Sequence, residues 1–253
     1  MHQPTKRVID ILEYIVKKGE NVRLTDFSRE LEMPKSTLLA ILKTLCDYKF
    51  LVNENGMYSA GTALFSLGAA FTGNFPTLNF VRKQLDDLVG LLGETCYFGV
   101  LEEGNVLYLE KADSLHPLRM LITTGRRLPA YSTGIGKALL IDCSEDELKK
   151  IYPDGLLPFT KNTITDFKVL ASQLECAKND GYVWEIEESM EHIRCFAVPV
   201  RKNSRVVAAV SVAIPVFRFN EEKRDFIIDS VKNVAQKISE TIEQTDAHFG
   251  NIF

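Results

Sequence analysis

A cluster of basic and hydroxyl side chains directly after Pro34 has the residue types and spacing needed to bind phosphate. The cluster consists of Lys35, Ser36, Thr37 and Lys43. Its first three members stand where a helix is expected to begin. Hydroxyl groups donate hydrogen bonds to phosphate oxygens, and the N–H groups of a helix start attract anions. The cluster therefore predicts a contact with the backbone of a nucleic acid.

A second motif, Gly-Ile-Gly-Lys at residues 134–137, opens an apolar helix. Backbone N–H groups at such a start favour an anion such as a carboxylate. A two-glycine turn is more often only a turn, so this signal is weak by itself. The motif also lacks the spacing of a phosphate-binding loop, which argues against a nucleotide ligand.

Catalysis is the rival interpretation of the C-terminal half. Cys195 would be the nucleophile, and the supporting groups would be His192, Glu188 and Ser211. Cys195 and His192 are three residues apart in an expected loop-to-strand segment, and no residue is placed to orient the imidazole. We therefore expect a surface histidine and no enzyme activity.

The five cysteines are scattered and include no C-x-x-C pair, which argues against a disulfide framework and against a zinc site. Each is expected to be a small core residue. We predict no cofactor and no metal.

Three helices and a hairpin must position the phosphate-binding cluster. The first helix has one apolar face and ends at Gly19; this face is formed by Val8, Ile11, Leu12, Ile15 and Val16. The second is expected to begin with Thr25 as N-cap and to carry Asp26 in its first turn. The third begins after Pro34, and its buried face is formed by Leu38, Ile41, Leu42 and Leu45.

The hairpin is predicted by Asn55-Gly56 between two short apolar runs, because this pair adopts the positive φ angles of a tight turn. Two helices joined by a turn and followed by a hairpin are typical of a winged helix-turn-helix that binds DNA. The same pattern also fits a protein-interaction module.

The remainder of the chain predicts an α+β domain. Helices are expected at residues 62–73, 78–92, 134–142, 145–152, 166–180 and 220–245. Strands are expected at residues 95–101, 106–111, 118–124, 182–187, 194–201 and 206–214. Strands and helices in this mixed order favour a sheet covered by helices.

Length and composition place these elements in a two-domain globular protein. The chain has 253 residues, 45% of them hydrophobic, and a net charge of −4. Residues 1–75 carry nine Lys and Arg against eight Asp and Glu, so DNA contact must come from local placement rather than bulk charge. The longest apolar run, residues 206–217, is too short to span a bilayer, and no signal peptide is evident. We expect a soluble cytoplasmic protein with no membrane partner.

Ordered sequence blocks with a recognisable pattern lie along nearly the whole chain. In the N-terminal part they are residues 6–12 (Lys-Arg-Val-Ile-Asp-Ile-Leu), 31–37 (Leu-Glu-Met-Pro-Lys-Ser-Thr), 42–45 (Leu-Lys-Thr-Leu) and 58–61 (Tyr-Ser-Ala-Gly). In the C-terminal part they are residues 93–95, 108–111, 125–129, 134–138, 163–165 and 194–200 (Arg-Cys-Phe-Ala-Val-Pro-Val). Taken in this order, the blocks resemble the IclR family of bacterial transcription regulators.

This resemblance implies a winged helix-turn-helix at residues 1–61, a linker helix at 62–76 and a PAS/GAF-like effector domain with a mixed or antiparallel sheet at 77–253. It implies a homodimer or homotetramer that binds double-stranded operator DNA and responds to a small organic effector, such as a carboxylic or sugar acid. We interpret the protein as a repressor, although the same residues are compatible with an activator. The alternative is an oligomeric, ligand-binding interaction protein without sequence-specific DNA binding.

The resemblance also implies site residues. The positions that match the family's effector pocket are Met120, Leu128, Gly134, Ile135, Glu185, Ile193, Cys195 and Ser211. If the Glu185 carboxyl points inward, a purely anionic ligand fits less well. On the DNA side, Leu39 and Ala40 stand where the family often has polar or basic residues, so base contact there is limited to a thymine methyl group.

Two further departures affect the DNA-binding domain. Glu32 stands where the family often has glycine, and a positive φ there would cost about 1 kcal/mol. The hairpin tip, residues 53–56, has no Lys or Arg, so a strong phosphate contact from the wing is not expected.

Overall fold

The structure, a computed structural model, describes residues 1–19, 21–73, 75–120 and 122–244. Contacts divide the chain into two compact units, Met1–Asn74 and Phe75–Phe253. The domain boundaries expected after residues 61 and 76 stay a prediction. No helix in the described ranges is long and apolar enough to cross a membrane.

The N-terminal unit contains the expected helices and a small sheet. Its elements are α1 (Gln3–Lys18), β1 (Val22–Arg23), α2 (Leu24–Glu30), α3 (Lys35–Asp47), β2 (Leu51–Glu54), β3 (Met57–Ala60) and α4 (Thr62–Gly73). The apolar faces of the first three helices meet in one core, where Ile11, Phe27 and Leu38 are fully buried. Removal of these apolar side chains from water is the main contribution to the stability of this small unit.

The prediction that Thr25 is the N-cap of α2 is wrong. Arg23 is the N-cap, and its backbone N–H donates to Asp26 Oδ2 at 2.9 Å. The physical reason is a strand that the sequence did not reveal. Val22 and Arg23 pair with β3 as β1, which holds them extended and starts the helix immediately afterwards.

The hairpin prediction is confirmed. β2 and β3 pair antiparallel, with Glu54 opposite Met57, and Asn55 and Gly56 both have positive φ. The Gly56 N–H donates to the Asn53 side chain at 3.0 Å, which adds a side-chain bond to the turn.

The C-terminal unit is built on one antiparallel sheet of six strands, in the order β6-β5-β4-β9-β8-β7. Its strands are β4 (Thr95–Glu102), β5 (Asn105–Ala112), β6 (Arg127–Pro129), β7 (Val183–Ile186), β8 (Ile193–Lys202) and β9 (Arg205–Pro215). Its helices are α5 (Thr77–Leu92), α6 (Gly134–Leu139), α7 (Glu145–Ile151), α8 (Phe167–Asp180) and α9 (Arg224–Gln244). The expected α+β class is confirmed.

Both faces of this sheet are covered. One face packs against α5 and α9 around Phe98, Phe196 and Val231. The other packs against α6, α7 and α8 around Tyr97, Leu140 and Leu170. Alternate side chains of a strand point to opposite faces, so Tyr97 and Phe98 enter different cores. The candidate effector residues lie on the α6 side.

The strand expected at residues 118–124 is wrong for its described residues. The Tyr97 hydroxyl donates to the Met120 carbonyl at 2.9 Å and accepts from the Ile122 N–H at 3.4 Å, so a side chain takes these backbone groups. The chain rejoins β5 just before β6, where the Gly125 N–H donates to the Tyr108 carbonyl and the Tyr108 N–H donates to the Arg126 carbonyl.

Two helix ends also differ from expectation. The helix expected from residue 134 to 142 ends at Leu139. The last helix begins at Arg224 rather than Asn220, because residues 221–223 form a separate 3-10 turn. Its expected end, Thr245, lies outside the described residues.

Candidate DNA-binding surface and effector site

Helix α3 presents the predicted phosphate-binding side chains to solvent. Lys35, Ser36 and Lys43 are exposed, and Thr37 is half-buried. The N-cap of α3 is Pro34, and no side chain caps the first turn. Helix starts of this kind leave N–H groups for an anion, and those groups lie beside Ser36 and Thr37.

The base-facing part of α3 is short of hydrogen-bonding groups. Leu39 is 51% exposed and Ala40 is also exposed, whereas their neighbours Leu38 and Leu42 are fully buried. Neither exposed side chain can donate or accept a hydrogen bond. Any reading of base edges by these two positions is restricted to apolar contact.

The turn before α3 contains backbone strain. Glu32 has φ of 51°, in the left-handed region that a non-glycine residue adopts at a cost. The Ser28 hydroxyl donates to the Met33 carbonyl at 2.9 Å and ties this turn to α2. Tertiary context therefore imposes the glycine-like geometry on a glutamate.

In the C-terminal unit, the start of α6 packs directly on β8 and β7. A Cβ atom at Gly134 would lie 2.7 Å from Cys195 Cβ and 3.4 Å from Glu185 Cγ. At Gly136 a Cβ atom would overlap the Ala130 backbone. Both glycines are needed for close approach, which explains the motif without a ligand.

One N–H group at this helix start already has a protein partner. The Gly136 N–H donates to Thr133 Oγ1 at 3.0 Å. One of the first three N–H groups is therefore occupied, which leaves fewer donors for a carboxylate.

A row of side chains crosses four strands beneath α6. Glu185 pairs with Cys195, Cys195 with Ala213, and Ala213 with Thr95. In the next row, Ser211 is paired with both Tyr97 and Ala197. The structure thus brings Gly134, Glu185, Cys195 and Ser211 onto one patch of the sheet.

The other predicted effector residues lie around this patch or at a distance from it. Ile135 packs close to Gly99 of β4, where an added Cβ atom would lie 3.3 Å from Ile135 Cδ1, and Ile193 is buried at the start of β8. Met120 is held above β4 by the Tyr97 hydroxyl. Leu128 lies on β6, at the opposite sheet edge from Glu185, five strand spacings or about 24 Å along a flat sheet. The role of all eight residues stays a prediction.

Glu185 is the most unusual group in the patch. Its side chain is fully buried, and Oε2 accepts from the Glu188 N–H at 2.9 Å. Its other oxygen, Oε1, is buried with no hydrogen-bond partner among the described residues. Burial raises the pKa of the Glu185 carboxyl to about 7, although the hydrogen bond from the Glu188 N–H favours its charged form. At physiological pH this carboxyl is therefore partly protonated and partly charged.

Lys137 was not singled out as a buried charge from the sequence, although it interrupts an apolar helix. Its Nζ lies 2.5 Å from Glu188 Oε1 and 2.7 Å from Gln173 Oε1, and no part of it reaches solvent. Burial lowers the pKa of the Lys137 ammonium, and the Glu188 carboxylate opposes that shift. Glu188, one of the supporting groups in the catalytic interpretation, is thus the ion-pair partner of Lys137.

The catalytic interpretation finds no geometric support. Burial raises the pKa of the Cys195 thiol well above its usual value, which disfavours the thiolate that a nucleophile requires. His192 is a surface residue, as expected, with its side chain 84% exposed and near Glu187. Within the described ranges, no cluster of three or more His, Cys, Asp or Glu side chains is arranged to hold a metal.

Family comparisons agree with both units. A family model for the IclR helix-turn-helix domain matches residues 4–54, and one for the C-terminal part of bacterial IclR regulators matches residues 71–240. The chain belongs to the IclR family. An IclR protein with this DNA-binding unit is a transcription regulator, and the chain is accordingly a DNA-binding transcriptional regulator.

Individual IclR proteins resemble the chain over most of its length. The HTH-type transcriptional regulator KdgR of Escherichia coli is 34% identical over 96% of this chain and 94% of its own. The HTH-type transcriptional repressor AllR of the same species is 31% identical over 94% and 89%. An IclR homolog from Microbacterium hydrocarbonoxydans, solved in complex with 4-hydroxybenzoate, shares the fold with a TM-score of 0.82 at 21% identity, over 96% of this chain and all of that one.

Proposed function

We propose that this IclR protein is a cytoplasmic repressor that binds a palindromic site near its own or an adjacent operon. The similarity to the repressor AllR supports repression. The exposed Lys35, Ser36 and Lys43 of α3 support phosphate contact along one face of the recognition helix. A symmetric oligomer would place two such helices on related half-sites.

The linker helix α4 supports a homodimer. None of its twelve residues is buried, none is charged, and Phe65 is 79% exposed. An isolated helix of this length is marginal in water, and an uncharged one with exposed Phe65 and Leu67 gains most from packing on a partner. Analytical ultracentrifugation tests this: we expect a dimer or tetramer for the native chain and dissociation for Phe65→Asp/Leu67→Asp.

The effector is a small organic molecule that carries hydroxyl groups, such as a hydroxylated carboxylic or sugar acid. The observation that supports this class is the buried Glu185 Oε1, which has no hydrogen-bond partner among the described residues and belongs to the residue paired with Cys195 across β7 and β8. A buried acceptor without a partner is costly, and a ligand hydroxyl would satisfy it. The hydroxyl of 4-hydroxybenzoate, the ligand of the M. hydrocarbonoxydans homolog, is of this chemistry. Ile135, Ile193 and Met120 would form the apolar wall.

Thermal unfolding with matched probes tests the effector class. D-gluconate is compared with hexanoate, and 4-hydroxybenzoate with benzoate, since each pair differs only in hydroxyl groups. A ligand of the folded state raises the unfolding temperature. We expect larger shifts for a hydroxylated member, lost in Glu185→Ala. Equal shifts within both pairs would refute the assignment of Glu185 as the hydroxyl acceptor.

A further inference from the structure

Lys137 joins three segments that meet beside the effector patch. It belongs to α6, its Nζ contacts Gln173 of α8, and it forms an ion pair with Glu188 in the loop after β7. A buried ion pair adds little net stability, because the desolvation of both charges offsets their attraction. The ion pair formed by this lysine in the middle of an apolar helix is therefore expected to have a role other than stabilising the fold.

Glu188 connects Lys137 to Glu185 through hydrogen bonds. Its side chain accepts from Lys137 at Oε1 and from the Ile164 N–H at Oε2, and its backbone carbonyl accepts from the Thr163 hydroxyl at 2.6 Å. Its backbone N–H donates to Glu185 Oε2. One oxygen of the Glu185 carboxyl is thereby fixed, and this orientation leaves Oε1 as the oxygen without a partner.

We infer that Lys137 is a positioning residue for effector recognition. It anchors Glu188 so that the Glu188 N–H orients the Glu185 carboxyl, with Oε1 presented to a hydroxyl of the effector. This inference rests on the proposed function, because it takes Glu185 to be an effector contact. The ordinary alternative is that the ion pair only joins α6 to α8.

The variants must separate positioning from folding. Lys137→Met alone leaves Glu188 as an unpaired buried charge and risks unfolding the unit. The main variant is therefore Lys137→Met/Glu188→Gln, which removes both charges at similar volume and keeps the backbone N–H at position 188. The matched control is Lys168→Met, on the exposed side of α8.

The first measurement needs no ligand. Amide hydrogen exchange at position 188 reports the bond to Glu185 directly. We expect exchange to become at least about tenfold faster in Lys137→Met/Glu188→Gln and in Glu185→Ala, while amides of β8 and β9 stay protected. Lys168→Met should match the wild type. Unchanged exchange at position 188 in the double variant would overturn the inference, whatever the effector is.

The second measurement is the ratio of affinities for 4-hydroxybenzoate and benzoate, and for D-gluconate and hexanoate. We expect the preferred hydroxylated probe to bind at least roughly tenfold tighter than its partner, since the hydrogen bond to Glu185 alone allows that factor. The ratio should fall about tenfold in the double variant, which is to about one for the benzoate pair, with no further change in a Glu185→Ala background. A ratio that survives in the double variant but is lost in Glu185→Ala overturns the inference. No discrimination by the wild type refutes the effector class instead, and amide exchange then decides the role of Lys137.

Discussion

Replacement of Glu185 by glutamine should remove a pH dependence from the stability of the C-terminal unit. The carboxyl has a pKa of about 7 in the folded chain, against an ordinary value of 4.5. Between these values the folded state binds more protons than the unfolded state. Stability therefore falls as pH rises through this window, and the loss is complete above pH 7. Glutamine keeps the shape and does not ionise.

The size of the effect follows from the two pKa values. Each pKa unit corresponds to about 1.4 kcal/mol, so wild type loses roughly 2–3 kcal/mol between pH 5 and pH 8 through this group. The free energy of unfolding of Glu185→Gln minus that of wild type should rise by the same amount over that range. The new amide N–H₂ lacks an acceptor near Cys195 and shifts the whole curve down by about 1–3 kcal/mol, independently of pH.

Urea unfolding followed by Trp184 fluorescence is the assay. Trp184 is the single tryptophan of the chain and neighbours Glu185 on β7, so its signal reports the unit concerned. Chain concentration is held constant because the protein is expected to be an oligomer. If the difference in free energy of unfolding between Glu185→Gln and wild type does not depend on pH, the account of Glu185 as a buried, partly protonated carboxyl is refuted.

Three further substitutions test other parts of the structure. Glu32→Gly should raise the free energy of unfolding of the N-terminal unit by about 0.5–1 kcal/mol, since glycine relieves the positive φ; circular dichroism melts check this, and a lower stability contradicts it. Gly136→Ala should destabilise the C-terminal unit by about 3 kcal/mol, because its Cβ overlaps Ala130, whereas the control Gly90→Ala in α5 meets nothing and should be neutral or stabilising; equal urea midpoints would contradict this. Lys43→Ala should reduce the slope of log affinity for the operator against log salt concentration by about one, as expected for the loss of one phosphate contact. Fluorescence anisotropy measures this slope, and an unchanged slope would show that Lys43 does not contact the DNA.

Local elements of the fold were predictable from the sequence. The apolar spacing of α1 and α3 and the Asn55-Gly56 turn depend on neighbours within a few residues. These predictions are confirmed except at Val16, which was assigned to the apolar face of α1 and is 58% exposed. The two-residue strand β1 was missed because its only signal is the distant partner β3. The same reason explains the error at residues 118–124, where the Tyr97 hydroxyl, remote in sequence, takes the backbone groups of Met120 and Ile122.

For the candidate site, too, the features that depend on residues distant in the sequence were not predictable from local pattern. Its residues could be selected only through resemblance to a family, since Gly134, Cys195 and Ser211 lie far apart in the chain and meet through strand pairing. The hydrogen bond from the Gly136 N–H to Thr133 is a local N-cap contact, whereas the close packing of Gly134 on Cys195 depends on tertiary structure, which no motif reveals. The Lys137–Glu188 pair joins residues 51 positions apart and was likewise invisible.

The central claim is sequence-specific DNA binding by the α3 surface, and fluorescence anisotropy with the intergenic DNA beside its own gene tests it most directly. Titrations are made with that DNA and with a scrambled duplex of equal length at several salt concentrations. The account predicts at least about a thousandfold tighter binding to the intergenic DNA at physiological salt, and a loss of affinity for both duplexes in Lys35→Ala/Lys43→Ala. Equal affinity for the two duplexes at every salt concentration would contradict it.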